Sequence, residues 1–175
     1  YINQNLPTLL VIGGSLGSQA LNNLIFENQQ SLCKNFNIIH LCGNNFEKTS
    51  NIKNYHIIKQ SNDMGNIYAA CDIALTRGGS NVLFELLALK KPMLIVPLQK
   101  GSRGDQVENA TEFEKMGVAE VLFEDALQSN NQILTTKLNQ ILSNKQTYAK
   151  NAQKFAANGT QNIIKQIEKV LSKKN

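Results

Sequence analysis

Two short turns, rich in glycine and serine, carry the residue types most typical of anion binding. Residues 13–18 read GGSLGS after the apolar run TLLVI, and residues 78–80 read GGS after DIALTR. Glycine lets the backbone approach a ligand closely, and a helix that begins directly after such a turn points its free N–H groups at an anion. Ser15 or Ser18 could cap the first helix. Taken alone, the first turn is equally well explained as an ordinary strand-to-helix connection.

Glu85 stands one turn inside the helix that the second turn opens, within the apolar run VLFELLAL. It follows Asn81 by four residues, so both side chains share one face of that helix. A carboxylate at this position can accept hydrogen bonds from two vicinal hydroxyls, such as those of a ribose. The competing interpretation is a solvent-facing glutamate, but the apolar neighbours favour a buried acid that needs polar partners.

A third polar segment, PLQKGSRGDQVENA, crowds the start of another predicted helix. Gln106 and Asn109 are three residues apart and share a helix face, and amide side chains both donate and accept hydrogen bonds, as sugar hydroxyls require. We interpret Asp105 as an ordinary helix cap. The two glycine turns, the acid and the amide pair together predict a site for a nucleotide sugar.

Several other chemistries are not indicated. The spacing G-x-G-x-x-G is absent, no G-K-[ST] follows either turn, and the end of the second strand (residues 40–42) lacks the acid that binds a dinucleotide ribose. Cys33, Cys42 and Cys71 match no metal-ligand or C-x-x-C spacing and are predicted to be buried thiols. His40 and His56 lie in strand patterns, where a hydrogen-bonded structural histidine is expected. We therefore predict neither a metal nor a cofactor.

The composition fits one ordinary globular domain. The chain has 175 residues, 42% of them hydrophobic, and a net charge of +5 that is dispersed along most of the sequence. A nucleic-acid-binding protein more often concentrates its charge on one element, so no nucleic-acid partner is expected. From this sequence, we expect neither a membrane span nor a signal peptide within these residues. Because the sequence begins without Met and almost in a strand, we expect one domain, residues 1–175, of a longer protein.

Short β-rich runs alternate with helical patterns, which predicts a doubly wound parallel α/β sheet of about six strands with a Rossmann-like fold. Residues 81–91 form an apolar helix that should be largely buried, and residues 106–117 form a helix ending at a capping glycine. Three amphipathic helices should close the chain, the last packing on the sheet or on a missing domain. The strand candidates are TLLVIGG, FNIIHLCG, YHIIK, DIALTRGG, PMLIVPL and VAEVL.

The segments GGSLGSQALN, TRGGSNVLFELLALKKPMLIVP and DQVENA resemble the carboxyl-terminal domain of the MurG family of bacterial glycosyltransferases, in order over roughly residues 8–125. The resemblance implies one half of a GT-B fold, in which two Rossmann-like domains face each other across a cleft. It also implies transfer of N-acetylglucosamine from UDP-N-acetylglucosamine to lipid I, which gives lipid II for peptidoglycan, without a protein-bound metal.

The resemblance also assigns contacts with the donor. Ser15 would contact the diphosphate, Glu85 the ribose hydroxyls and Gln106 the hydroxyls of the sugar. The uracil would be held through the backbone at Ser61. The full predicted substrate-binding set is Gly14, Ser15, Gly17, Ser61, Gly79, Ser80, Asn81, Val82, Leu83, Phe84, Glu85, Gln106 and Asn109.

The family's amino-terminal domain holds the proposed base, the lipid I site and the membrane-facing patch, so we expect no catalytic residue and no turnover in this part alone. The full-length enzyme would lie at the cytoplasmic face of the membrane as a peripheral protein. One alternative is the donor-binding subunit of a split lipid-linked N-acetylglucosamine transferase, which needs a separate membrane partner. Another is a sugar-nucleotide epimerase of related fold, for which the sequence offers no catalytic set.

Overall fold

The computed structural model describes residues 3–14, 17–99, 104–129, 131–155 and 159–172. All six strands expected from the apolar runs are present, and helices separate them. The strands are β1 (Thr8–Ile12), β2 (Asn37–Leu41), β3 (Tyr55–Ile58), β4 (Ile73–Thr76), β5 (Met93–Ile95) and β6 (Ala119–Val121). The helices are α1 (Gln19–Glu27), α2 (Gln29–Leu32), α3 (Met64–Ala70), α4 (Ser80–Ala88), α5 (Asp105–Lys115), α6 (Glu124–Ser129), α7 (Asn131–Ser143), α8 (Lys145–Gln153) and α9 (Gly159–Leu171).

The six strands form one sheet in the order β3-β2-β1-β4-β5-β6, and every neighbouring pair is parallel. The chain builds outward from β1 to β3 and then returns to place β4 on the other side of β1. The strand order therefore reverses between β1 and β4, which is where open parallel sheets bind ligands, beyond the carboxyl ends of their strands. The predicted fold class is confirmed.

Helices cover both faces of the sheet, as a parallel sheet requires. Successive residues of β1 alternate between two apolar layers, with Leu9 and Val11 in one and Leu10 and Ile12 in the other. The first layer also contains buried side chains of α1, α2, α6 and α7, and the second those of α3, α4 and α5. All three cysteines are buried free thiols, as predicted.

Helix α4 differs from its prediction. Only the stripe formed by Leu83, Leu86 and Leu87 is buried, whereas 59% of the Phe84 surface is exposed. The apolar composition of the run suggested a helix buried on most sides, and that prediction was wrong. The sheet covers one side of the helix, and the opposite side borders the cleft described below.

The end of α5 was predicted correctly. Gly117 adopts a φ of +66° just after the last helical turn, and the next N–H, of Val118, donates to the carbonyl of Phe113. Such a left-handed residue satisfies the free carbonyls at a helix end, and glycine adopts it without steric cost.

Helices α2, α3 and α6 were not predicted, and α3 proves to be part of the cleft. The terminal helix α9 leaves a row of apolar side chains about half exposed: Ile164, Ile167, Val170 and Leu171. The described part of the chain has no helix that is both long and apolar enough to cross a membrane.

Candidate functional site

A cleft of about 630 Å³ opens at the carboxyl-terminal edge of the sheet, at the reversal of strand order. It is bounded by the residues that follow β1, β2 and β3 and by helices α3, α4 and α5. Its lining residues are Ile12, Gly14, Leu41, Gly43, Lys59, Gln60, Ser61, Asn62, Met64, Tyr68, Gly79, Ser80, Asn81, Val82, Glu85 and Asp105. Residues that were predicted from three separate segments thus border one space.

The second glycine turn leaves the start of α4 open towards this cleft. Gly79 is the N-cap residue, with a φ of −65° and a ψ of 130°, and no side chain in the described part of the chain caps the helix. A Cβ at Gly79 would meet no atom within 4 Å. The first N–H groups of a helix have no partner within the helix, so those of α4 remain available to a ligand.

The first glycine turn is built differently. Gly14 and Gly17 have φ values of +91° and +77°, and the Gly17 N–H donates to the Gly14 carbonyl at 3.0 Å. The hydroxyl of Ser18 caps α1 by accepting the Leu21 N–H at 3.4 Å. Of the two serines considered as caps, Ser18 therefore has this role. Ser15 lies outside the described residues.

Gly17 presses against the end of β2. A Cβ at this position would lie 2.1 Å from the carbonyl oxygen of Cys42, so no other residue fits there without moving the backbone. The same carbonyl accepts a hydrogen bond of 2.7 Å from the Asn22 side chain. Both the turn and helix α1 are therefore anchored on one carbonyl group of the neighbouring strand.

His40 is a hydrogen-bonded core residue, as predicted. Its Nε2 lies 2.9 Å from the Asn22 Oδ1 and its Nδ1 2.7 Å from the Tyr55 hydroxyl. Burial lowers the pKa of His40 to about 4, so the imidazole is neutral at physiological pH. It does not line the cleft and makes a poor candidate for a base.

Glu85 lines the cleft but is not the buried acid that its apolar neighbours suggested. Its side chain is exposed and accepts a hydrogen bond of 2.5 Å from the Tyr68 hydroxyl of α3. Burial, and then the contact with Glu85, raise the pKa of Tyr68. Asn81 lines the cleft beside Glu85, which confirms the shared helix face. A carboxylate can accept several hydrogen bonds, so Glu85 retains acceptor capacity beside this contact.

Two other residues of the same helical stretch do not border the cleft. Leu83 is fully buried in the core. Phe84 packs edge-to-face on Phe113 of α5, with ring centroids 5.4 Å apart. Successive helical residues are about 100° apart, so a continuous run of six cannot face one ligand.

The two amides predicted to read a sugar bind backbone groups instead. The Oε1 of Gln106 accepts the Leu98 N–H at 3.0 Å, and the Nδ2 of Asn109 donates to the Gly78 carbonyl at 3.2 Å. They hold the loops after β5 and β4 against α5, and neither is among the residues that line the cleft. Asn109 thereby fixes the second glycine turn in place, and Gln106 fixes the loop after β5.

Asp105 lines the cleft, and its predicted role as the helix cap was wrong. Gly104, with a φ of +89°, occupies the N-cap of α5, and Asp105 is the first residue of the helix. A left-handed backbone favours glycine at the cap. In the first turn of α5, the carboxylate of Asp105 still interacts favourably with the positive end of the helix dipole.

The wall of the cleft opposite α4 contains residues that sequence reasoning missed, apart from Ser61. The Ser61 hydroxyl accepts the Asp63 N–H at 3.0 Å, which shapes the turn into α3. Met64 and Tyr68 follow on one face of that helix at a spacing of four, a pattern visible in DMGNIYAA. Lys59, at the end of β3, is the cationic side chain among the described lining residues.

The charge of the described lining side chains does not attract an anion, so an anion in this cleft would be bound mainly by backbone groups. Glu85 and Asp105 are acidic and Lys59 is basic, so the described side chains do not make the lining positive. Among the described residues, no group of three His, Cys, Asp or Glu side chains is placed to hold a metal ion. The helix N-terminus of α4 and the glycine backbone are the main donors on offer.

The sequence of this chain is similar to those of known glycosyltransferases. The model for the glycosyltransferase family 28 C-terminal domain matches residues 8–167. The chain is 46% identical over 178 residues to the UDP-N-acetylglucosamine–N-acetylmuramyl-(pentapeptide) pyrophosphoryl-undecaprenol N-acetylglucosamine transferase of Clostridium tetani, covering 98% of this chain and 49% of that protein. A protein of the same name from Clostridium botulinum (strain Kyoto / Type A2) is 44% identical, with 94% and 48% covered.

Solved structures show the same fold. The crystal structure of Acinetobacter baumannii MurG matches with a TM-score of 0.76 at 24% identity, covering 95% of this chain and 51% of that one. The calicheamicin glycosyltransferase CalG4 matches with a TM-score of 0.73 at 14% identity, covering 87% and 38%. The chain spans about half the length of the curated relatives it matches. It belongs to the family of glycosyltransferase family 28 C-terminal domains.

Proposed function

We propose that this chain is the donor-binding half of an N-acetylglucosamine transferase that uses UDP-N-acetylglucosamine and lipid I. One observation carries the proposal: a helix with an uncapped N-terminus opens onto the cleft, and Glu85 lies one turn further on its cleft-facing side. That arrangement offers N–H donors for a phosphate and a carboxylate for a ribose at adjacent positions. The relatives' name states the same transfer, which supports the choice of donor and acceptor.

In this proposal the diphosphate lies between the two glycine turns, near Gly14, Ser15 and the start of α4. The ribose hydroxyls donate to Glu85, whose carboxylate the Tyr68 hydroxyl already orients. The uracil lies against Ser61, where Gln60, Asn62 and Met64 also line the cleft. Gln106 and Asn109 act on the sugar through the loops they hold.

The proposed reaction is an inverting displacement in which the acceptor hydroxyl attacks the anomeric carbon and UDP leaves. Negative charge then develops on the leaving diphosphate, and the N–H groups of α4 stabilise it without a metal. This chain supplies donor binding and stabilisation of the leaving group. The base and the acceptor site come from the other half of a longer protein, which would act at the cytoplasmic face of the membrane because lipid I is a membrane lipid.

Calorimetric titration of the chain with UDP-N-acetylglucosamine, UDP, UDP-glucose and NAD tests the proposal. We expect both UDP and UDP-N-acetylglucosamine to bind and NAD not to bind, because neither turn has the dinucleotide spacing. NAD binding as tight as UDP binding, or no UDP binding at all, would contradict it. The chain alone should not glycosylate lipid I, and turnover near that of a full-length relative would show that the catalytic groups lie here.

A separate donor-binding subunit with a membrane partner has less support. The curated relatives carry this domain as about half of a single chain, so a second polypeptide is not needed to complete the fold.

A further inference from the structure

Behind the first glycine turn lies a row of three buried polar side chains that the proposed reaction does not use. Asn22 of α1, His40 of β2 and Tyr55 of β3 are no more than 5% exposed, and each is hydrogen-bonded to the next. The layer around them is otherwise largely apolar. Three buried polar groups are costly unless all are satisfied, so such a network specifies one arrangement of the elements it joins.

The hydrogen bond from Asn22 to the Cys42 carbonyl fixes the direction of every other hydrogen bond in the row. The Asn22 Nδ2 donates to the Cys42 carbonyl at 2.7 Å, so the Oδ1 of the same amide must accept. His40 therefore carries its proton on Nε2 and donates it to Asn22. Its Nδ1 then accepts from the Tyr55 hydroxyl. A single proton arrangement satisfies all four groups.

The row ends at the Cys42 carbonyl, which also lies against Gly17 of the first glycine turn. Gly17 approaches the Cys42 oxygen so closely that a Cβ would lie 2.1 Å from it. The Gly17 N–H in turn closes the turn by donating to Gly14, which lines the cleft. A shift of the Cys42 carbonyl would therefore move the part of the turn that faces the ligand.

We infer that His40 is a positioning residue for the donor diphosphate, acting through Asn22 and the Cys42 carbonyl on Gly17 and Gly14 of the first glycine turn. The inference rests on the proposed function, because it assumes that the turn holds a diphosphate. His40 itself touches no ligand. Its effect should therefore fall on the phosphates and spare the nucleoside, whose proposed contacts with Glu85 and Ser61 lie outside the first glycine turn.

The experiment compares the binding of UDP and of uridine, measured by NMR titration, in the native chain and three variants. In His40→Leu, which breaks the row, UDP affinity should fall about tenfold while uridine affinity stays within about twofold. In His40→Gln, which keeps a donor and an acceptor, most of the UDP affinity should return. Phe36→Leu is the matched control, since Phe36 is fully buried in the same apolar layer but lies outside the row.

A loss shared equally by UDP and uridine, or reproduced by Phe36→Leu, would overturn the inference. If His40→Leu does not fold, Tyr55→Phe removes only the hydroxyl that orients the imidazole. The same selective loss of UDP affinity is then expected, and an unchanged ratio of UDP to uridine affinity would overturn the inference.

Amide hydrogen exchange of Gly17 provides a readout that needs no ligand. It should be faster in His40→Leu than in Phe36→Leu, and equal rates would overturn the inference. A native chain that binds no UDP would instead contradict the proposed function, so the two failures are distinguishable.

Discussion

The two glycine turns look alike in sequence but differ in how far protein contacts already occupy the groups that a ligand could bind. The first is fixed by protein contacts: Ser18 caps α1, and Gly17 is packed on the Cys42 carbonyl. In the second, no described side chain caps the helix, and a Cβ added at Gly79 would meet no described atom within 4 Å. Both turns open a helix at the same edge of the sheet, but of the two helices α1 has a side-chain cap and α4 has none among the described residues.

This difference shows why a glycine-serine turn is weak evidence for an anion site. A serine that caps its own helix uses an N–H group that a ligand would otherwise bind, whereas a glycine at the same position uses none. The first turn contributes shape to the cleft, and the second contributes hydrogen-bond donors. The predictions below separate these contributions.

The largest expected effect is the loss of stability in Gly17→Ala. The new Cβ would overlap the Cys42 oxygen, and the φ of +77° disfavours any L-residue, so the free energy of unfolding should fall by about 3 kcal/mol or more. Gly79→Ala is the control, because its Cβ enters open space and its φ is −65°. It should change stability by less than about 1 kcal/mol. Urea unfolding curves measure both changes, and a similar loss of stability in Gly17→Ala and Gly79→Ala would mean that the two turns are equally constrained.

Glu85→Ala should have the next largest effect, on binding. Each hydrogen bond from a ribose hydroxyl to this carboxylate is worth roughly 1.5–3 kcal/mol, so losing one should lower UDP affinity about ten- to 150-fold, and losing both should lower it further. Alanine is the better helix former, but the buried Tyr68 hydroxyl loses its partner, so the free energy of unfolding should fall by about 1 kcal/mol.

A matched ligand tests the atom-level contact. The native chain should bind 2′-deoxy-UDP more weakly than UDP, and Glu85→Ala should lose most of that discrimination. Tyr68→Phe removes the hydroxyl that orients Glu85 and should show a smaller loss of the same kind. Discrimination that is the same in native and Glu85→Ala chains would exclude Glu85 as the ribose ligand.

The support of the first turn should be sensitive to acid. His40 has an ordinary pKa of 6.5 in the unfolded chain and about 4 in the folded chain, so the unfolded state binds more protons between these values. The part of the free energy of unfolding that His40 contributes should therefore fall by about 3 kcal/mol as the pH drops from about 6.5 to about 4, and no further below that. Urea unfolding of the native and His40→Gln chains at several pH values isolates the contribution of His40. A difference in stability between the two chains that stays constant with pH would contradict the prediction.

The smallest effect is expected when the second turn is made to resemble the first. In Gly79→Ser the new hydroxyl can cap α4 as Ser18 caps α1, which should raise stability by a few tenths of a kcal/mol. The same hydroxyl competes with a phosphate for an N–H group, so UDP affinity should fall by about three- to tenfold. Titration with UDP measures the affinity, and urea unfolding of the same preparation measures the stability. An unchanged UDP affinity would mean that the N-terminus of α4 does not hold the diphosphate.

The sequence by itself was sufficient for the strands, their parallel arrangement and the shared face of Asn81 and Glu85. These features depend on local periodicity and on turn residues, which act over a few neighbouring positions. The glycine cap after α5 is of the same kind. Even the cleft could be placed, because the carboxyl ends of parallel strands meet at one edge.

Tertiary structure alone decided which partner each polar side chain found. Tyr68 meets Glu85 across 17 positions and Asn22 meets Cys42 across 20, because the sheet order places α3 beside α4 and β2 beside β1. Gln106, predicted to bind sugar hydroxyls, accepts the N–H of the half-buried Leu98, because the fold places the loop after β5 beside the start of α5. Periodicity states which face a side chain is on, and only the packed chain determines what lies opposite that face.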